Sequence, residues 1–291
     1  MNTENKVAVI TDSGASLRPE NPEVEKLGVT IVPLEISFYE NGEYVARPDL
    51  DVSSEEFYER MKSSQKLPKT SGAVVGTLFN NLEKVSEQTR SAISIHVTSK
   101  HSVAYESALL AKSIFNEDGN EKMLIEVVDS KNVSLATWFL AEQAAELAQK
   151  GANLERIKNE VLESVPKIQL YTVLQSFENL IKGGRAGDVV KGVLASILSI
   201  YPVICFSDGT LTQFDRDRTP KKARERMIQM VGDESKLVKV AVIHTNAPEL
   251  AEGVRDSLTA KFSDPISIYE AGPVLAVHAG QGAVGIAFQR A

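Results

Sequence analysis

The chain has one cysteine in 291 residues, so no internal disulfide can form. Cys205 sits in the apolar run YPVICF, which reads as a buried thiol rather than a nucleophile. A lone cysteine also removes any cysteine-rich zinc site, and no HExxH occurs. Phosphate and dinucleotide loops are missing too: there is neither a GxxxxGKS/T nor a GxGxxG. The segment GVLAS lacks the GxSxG spacing of a hydrolase elbow. Long hydrophobic runs are scarce. The N-terminal MNTENKVAVITDSG is polar before a four-residue apolar run, too short for a signal-peptide core or a membrane span. The longest apolar stretch, VLASILSIYPVICF, is broken by Ser196, Ser199 and Pro202. Positive charge is in deficit as well, with 32 Lys and Arg against 39 Asp and Glu, a net charge of −7 and a pI near 5.3. Nucleic acid as the main partner is therefore disfavoured, because phosphate binding needs a basic surface. The expectation is a cytoplasmic protein with no stable membrane insertion.

What is present is ordinary for a globular protein: 43% hydrophobic and 24% charged residues, on a length that suits one large domain or two smaller ones. Apolar β-type runs alternate with amphipathic stretches. KVAVITDS, GVTIVPLEISF, SAISIHVTSK and EKMLIEVVDS read as strands. SSEEFYERMKSS reads as a helix with a Ser53/Glu56 capping box, and VVGTLFNNLEKVSEQ, SVAYESALLAKSIF and SLATWFLAEQAAELAQKG as further helices. Gly151 suits the position after the last of these. Strand alternating with helix predicts a largely parallel sheet covered by helices.

After residue 165 the texture changes. KIQLYTVL and LVKVAVIHTN read as strands, and SIYPVICFSDGTLTQF as a hairpin turning at Asp208-Gly209. PISIYEAGPVLAVHAGQGAVGIAF reads as two final strands, with His278 on a glycine-flanked turn. The expected organisation is an N-terminal α/β domain over 1–165 and a C-terminal α/β domain with a mixed sheet over 166–291. TPKKARERMIQMVGD is a basic helix, either a solvated face or, with Arg216 and Arg218, a docking face for an acidic partner.

Several apolar runs end in small hydroxyl or acidic residues just before a helix: TDS at 11–13, TSKHS at 98–102, VDS ending at Ser130, and HTN at 244–246. Such residues commonly cap helices, and in open α/β sheets the same place binds ligands. Thr70 and Ser71 in PKTSGAV face the same choice between a cap and a carboxylate or phosphate site. Arg185 follows two glycines in LIKGGRAGD, as an anion partner or a surface residue. His96 reads as structural, His101 as exposed near a helix start, and His244 as ambiguous. Ser102 or Ser13 with His278 would make an acyl or phosphoryl hydrolase or transferase.

In order, VAVITDSGASL, VTIVPLEISFYENGEY, PKTSGAV, SIHVTSKHSVAYESA, VVDS, FENLIKGGRAGDVV and the closing His-x-Gly-x-Gly of GPVLAVHAGQGAVGIAF resemble the DegV family of fatty-acid-binding proteins over nearly the whole chain. The resemblance implies two α/β domains with a lipid tunnel between them. It implies a long-chain fatty acid as ligand, such as palmitate or oleate, with no other cofactor. A separate ATP-dependent fatty acid kinase would phosphorylate the bound carboxylate, so the chain itself would be a carrier rather than an enzyme. Carried over, Thr70 and Ser102 would bond the carboxylate, with Arg185 and His278 near it and Ser71, Ser13 and Gly280 as further contacts. A sixteen-carbon tail could gain roughly 10 kcal/mol before its ordering cost is subtracted. Two departures stand out. Ser102-Val103-Ala104-Tyr105 replaces the usual Ser-Gly-Thr-Tyr, and Gln281 stands where proline is common.

Overall fold

The computed structural model describes residues 6–64, 66–117, 123–187 and 200–291. Ser196, Ser199 and Asp188, noted in the sequence, lie outside the described residues. The chain opens with β1 (Val7–Asp12), a run buried at five of its six positions, followed by helix α1 (Pro22–Leu27) and β2 (Thr30–Val32). Here the expected single strand GVTIVPLEISF is corrected. Val32 ends β2, and Pro33-Leu34 redirect the chain into β3 (Glu35–Glu40), which lies in a different sheet. Proline cannot donate to a ladder, so the break falls where one would be needed.

The strand β3 pairs antiparallel with β4 (Glu43–Pro48) and, past helix α2 (Ser54–Ser63), with β5 (Lys69–Ser71). Ser53 accepts from the Glu56 amide at 3.1 Å, as the capping pattern predicts. This small three-stranded sheet was not foreseen, and it turns Thr70 and Ser71 from loop into strand residues. Next come α3 (Val75–Ser86), β6 (Ser91–His96), α4 (Ala104–Glu117) and β7 (Leu124–Asp129). Strands β1, β2, β6 and β7 form a parallel sheet in the order β2-β1-β6-β7.

Helix α5 (Leu135–Gln149) follows, then α6 (Leu154–Ser164). Nine residues of α5 are buried, from Leu135 through Ala145, and they lie around the helix rather than along one stripe. A helix apolar on all sides must be covered on all sides. It is: α5 packs on β1 and β6 below and against the second sheet above, with Trp138, Phe139 and Leu140 sharing one core with Ile168, Leu170 and Ile243. Each such side chain contributes about 1.5–3 kcal/mol by leaving water.

The second sheet uses only strands after Lys167: β8 (Ile168–Val173), then, past α7 (Glu178–Lys182), β9 (Tyr201–Ser207) and β10 (Thr210–Asp217). After α8 (Pro220–Gly232) come β11 (Leu237–His244), α9 (Pro248–Thr259), β12 (Ser267–Glu270), α10 (Pro273–Ala279) and β13 (Val284–Arg290). The order is β10-β9-β8-β13-β11-β12, antiparallel except for the parallel β11–β12 pair. The β9–β10 hairpin turns at Asp208-Gly209, both with positive φ (45° and 77°), the geometry that suits a tight two-residue turn.

The C-terminal expectation needs correction. Between the two final strands lies α10, so His278 sits in the last turn of a helix and not on a loop. Helix α10 reaches back to the N-terminal half, where Ala276 and Val277 share a core with Ile36, Phe38 and Phe57.

Candidate functional site

A cavity lies between the two sheets. One wall is the inner face of the six-stranded sheet. Along β8 and the residue after it, the period of two turns Leu170, Thr172 and Leu174 into the cavity; Tyr171 and Val173 face a separate core behind. The opposite side comes from the carboxyl ends of the parallel strands and the loops after them, including Gly14, Val97 and Thr98. Helix α10 adds Val274, Leu275 and His278. The cavity leaves about 160 Å³ for the centres of water-sized molecules. Its apolar members are mostly buried, while Thr70, Ser102, Arg185 and His278 are half-buried and Ser71 is exposed. Thr98, Ser134, His244 and Thr245 also line it and are buried, so the half-buried group marks the open end.

The structure brings Thr70, Ser71, Ser102, Arg185 and His278 onto this one cavity. Thr70 Oγ1 and His278 Nε2 stand 2.8 Å apart, joining residues separated by 208 positions. His278 Nδ1 is buried without a hydrogen-bond partner among the described residues. Burial brings the His278 pKa down to about 4, and the positive Arg185 and the neighbouring His101 push the same way. The ring is neutral near pH 7 and acts as a hydrogen-bonding group, not a fixed charge. Arg185 donates from Nη1 to the Gly183 carbonyl at 2.8 Å and from Nε to the His101 carbonyl at 3.4 Å. Ser102 Oγ accepts from the Ala104 amide, the first of α4, at 3.2 Å while keeping its own proton to donate.

Ser13 and Gly280 do not line the cavity. Ser13 donates to Asp49 Oδ1 at 2.7 Å and accepts from the Leu34 amide at 2.9 Å, so its hydroxyl is committed. The Gly280 carbonyl accepts from Thr245 Oγ1 at 2.5 Å. His101, expected to be exposed, is instead a half-buried wall residue. Its ring meets Phe206 edge-on at 5.5 Å, and its Nε2 accepts from the Leu211 amide at 3.2 Å. Burial, then Arg185 and Lys100, lower its pKa. His101 lies one residue before Ser102 in TSKHS, which was the signal that could have marked it.

Neither serine of the enzyme reading bonds His278 in this arrangement. The ring holds Thr70 instead, and no acid orients its other nitrogen among the described residues. A Ser-His-Asp chain does occur elsewhere. Ser94 Oγ lies 2.7 Å from His96 Nε2, and His96 Nδ1 lies 2.9 Å from Asp12 Oδ2. Asp12 and His96 are fully buried and Ser94 is 3% exposed, so no substrate reaches that hydroxyl. Asp12 also accepts from the amides of Gly14 and Val97, which ties β1 to β6 at the cavity floor. His96 is structural, as the sequence suggested.

No helix among the described residues is long and apolar enough to cross a membrane. The model of the family described as "Uncharacterised protein, DegV family" matches residues 6–291. A DegV domain-containing protein of Halalkalibacterium halodurans is 34% identical over 97% of this chain and 98% of its own. Among solved structures, DegV of Bacillus subtilis, described as a fatty acid binding protein, is 30% identical, with a TM-score of 0.84 over 98% of this chain and 99% of that one. A stearic acid-binding protein of Eubacterium ventriosum is 26% identical, with a TM-score of 0.87 over 98% of both chains. Likeness that runs through sequence and fold from one end to the other places this chain in the DegV family.

Proposed function

We propose that the protein binds one long-chain fatty acid, its tail in the cavity and its carboxylate among Thr70, Ser102, Arg185 and His278. The observation that carries this reading is the polarity of the cavity: a buried apolar wall ending in half-buried hydroxyls, a guanidinium and a neutral imidazole. A carboxylate leaving water needs hydrogen bonds or positive charge, and this end offers both. Two of the similar proteins are described as binding fatty acids, one of them stearic acid. The half-buried polar end suits a carrier that presents the carboxylate, in the cytoplasm, to a separate ATP-dependent kinase for acyl-phosphate formation. The carrier has no catalytic residue of its own in this scheme. Thr70 and Ser102 hold the acid by hydrogen bonds that leave an oxygen free to attack a phosphoryl group.

Mass spectrometry of a solvent extract of the purified protein tests this. One fatty acid near one equivalent is expected, and the delipidated protein should reload with palmitate or oleate. An empty extract together with failure to reload would overturn the binding reading. Reloading without acyl-phosphate formation by any ATP-dependent acyl kinase would overturn only the presentation step.

A further inference from the structure

Seven hydroxyl side chains line the cavity among the described residues. Six have protein partners. Thr70 pairs with His278, Ser71 with Glu35, Thr98 with the Gly209 carbonyl, Ser102 with the Ala104 amide, Ser134 with Ser16, and Thr245 with the Gly280 carbonyl. The Thr172 hydroxyl makes no hydrogen bond to any described residue, although it stands on the cavity wall next to the last residue of β8. Leu170 on β8 and Leu174 just past its end flank it along the chain, each about 7 Å away at two strand residues' rise. Its hydroxyl is thus a lone polar group set into the apolar tail region.

The neighbouring strand carries no side chain beside it. Gly285 is the cross-strand partner of Thr172 on one side and of Ile243 on the other. Its φ is not positive, so the backbone does not demand glycine there. A Cβ at 285 would stand 2.8 Å from Thr172 Oγ1 and 3.1 Å from Ile243 Cγ2. Thr172 Oγ1 itself leans into the place a side chain at 285 would take, with the Tyr171 carbonyl oxygen 3.0 Å from that point, so glycine is what lets the hydroxyl lie over the neighbouring strand. Glycine inside a strand often marks such a close approach.

We infer that the Thr172 hydroxyl, set over Gly285, forms a second polar subsite, which selects acyl chains carrying an in-chain hydroxyl or oxo group. This rests on the fatty-acid reading and deepens it. A chain oxygen entering an apolar tunnel loses its water and is rejected unless a partner replaces it. Thr172 is that partner, as donor to an oxo oxygen and as donor or acceptor with a hydroxyl.

The test is competitive binding of stearate and its 3-, 10- and 12-hydroxy and oxo derivatives to delipidated wild type, Thr172→Val and Gly285→Ala. One oxygenated acid should bind wild type at least as tightly as stearate. Thr172→Val keeps the shape and should lower the affinity ratio of that acid to stearate about tenfold. Gly285→Ala puts a methyl group 2.8 Å from the hydroxyl, pushes it aside and should lower the same ratio. An unchanged ratio in both variants, or rejection of every oxygenated acid by wild type, would overturn the subsite. Failure of stearate to bind wild type would instead overturn the fatty-acid reading itself.

Discussion

Replacing Gly183 by alanine isolates the contact that seats His278. Gly183 adopts φ −75° and ψ −6°, a conformation open to any residue, so the backbone does not resist the change. The space does. An alanine Cβ would lie 2.9 Å from His278 Cε1, closer still to Nδ1, and 3.0 Å from the Asn179 carbonyl oxygen. Non-bonded carbons settle at about 3.5 Å or more, so the ring must retreat by over half an ångström. It is held on the far side by the 2.8 Å contact with Thr70, which such a shift strains or breaks. Overpacking of this kind costs about 1–3 kcal/mol, and the stiffer unfolded chain returns about 0.4–1. A net loss of about 1–2 kcal/mol in unfolding free energy is expected, together with a roughly tenfold weaker hold on fatty acid from one disturbed hydrogen bond. Gly184→Ala is the control. Gly184 has φ +70° with no atom within 4 Å of a Cβ, so alanine there strains the backbone by about 1–2 kcal/mol and leaves the histidine alone. The assay pairs urea unfolding with fatty-acid binding and the ring-nitrogen NMR shifts of His278. Gly183→Ala with wild-type affinity and unmoved His278 resonances would refute the packing argument, whatever its stability.

Other consequences concern protons, the hairpin and the head group. Burial pushes the Asp49 carboxyl from 3.8 up to about 7, so the fold keeps a proton that the unfolded chain releases, and its contribution to stability is lost as pH rises through that window. His278 works the other way, down from 6.5 to about 4, so its contribution is lost as pH falls through that range. The two slopes oppose each other, each at most about 1.4 kcal/mol per pH unit. Asp49→Asn should therefore steepen the loss of urea midpoint between pH 6.5 and 4, and a curve parallel to wild type would contradict the Asp49 assignment. At the β9–β10 turn a Cβ on Gly209 would lie 2.5 Å from Thr98 Oγ1, the group that donates to the Gly209 carbonyl. Gly209→Ala should lift the hairpin tip and speed hydrogen exchange at Leu211, whose amide is held by His101; unchanged protection would show that the tip is held elsewhere. Thr70→Ala with Ser102→Ala removes one or two charge-assisted bonds to the carboxylate, about 1.5–3 kcal/mol each. Unaltered fatty-acid loading in the double variant would refute the head-group assignment.

The residues most legible in the sequence were those whose neighbours along the chain announce them. Ser53 with Glu56, Asp208-Gly209, and the alternation of apolar runs with amphipathic helices carry local signals, and the structure follows them. The errors came where a tertiary partner decided. GVTIVPLEISF has the apolar density of one strand, but Pro33 splits it between two sheets. PVLAVHA has helix punctuation, a proline at the first position and glycine after the end, yet no polar stripe. Four of its seven residues are buried between the two halves of the chain, so the period of 3.6 has nothing to show. That missed helix is what aims His278 at Thr70. The glycine pair of LIKGGR shows the same division in miniature. Its conformational reading holds for Gly184 at φ +70°, whereas Gly183 is glycine because a histidine 95 positions later fills the place of its side chain. Spacing along the chain can reveal a turn or a cap. It cannot reveal a close approach between segments that meet only after both sheets have formed, and a ligand end gathered from β5, the start of α4, the loop after α7 and helix α10 consists of such approaches.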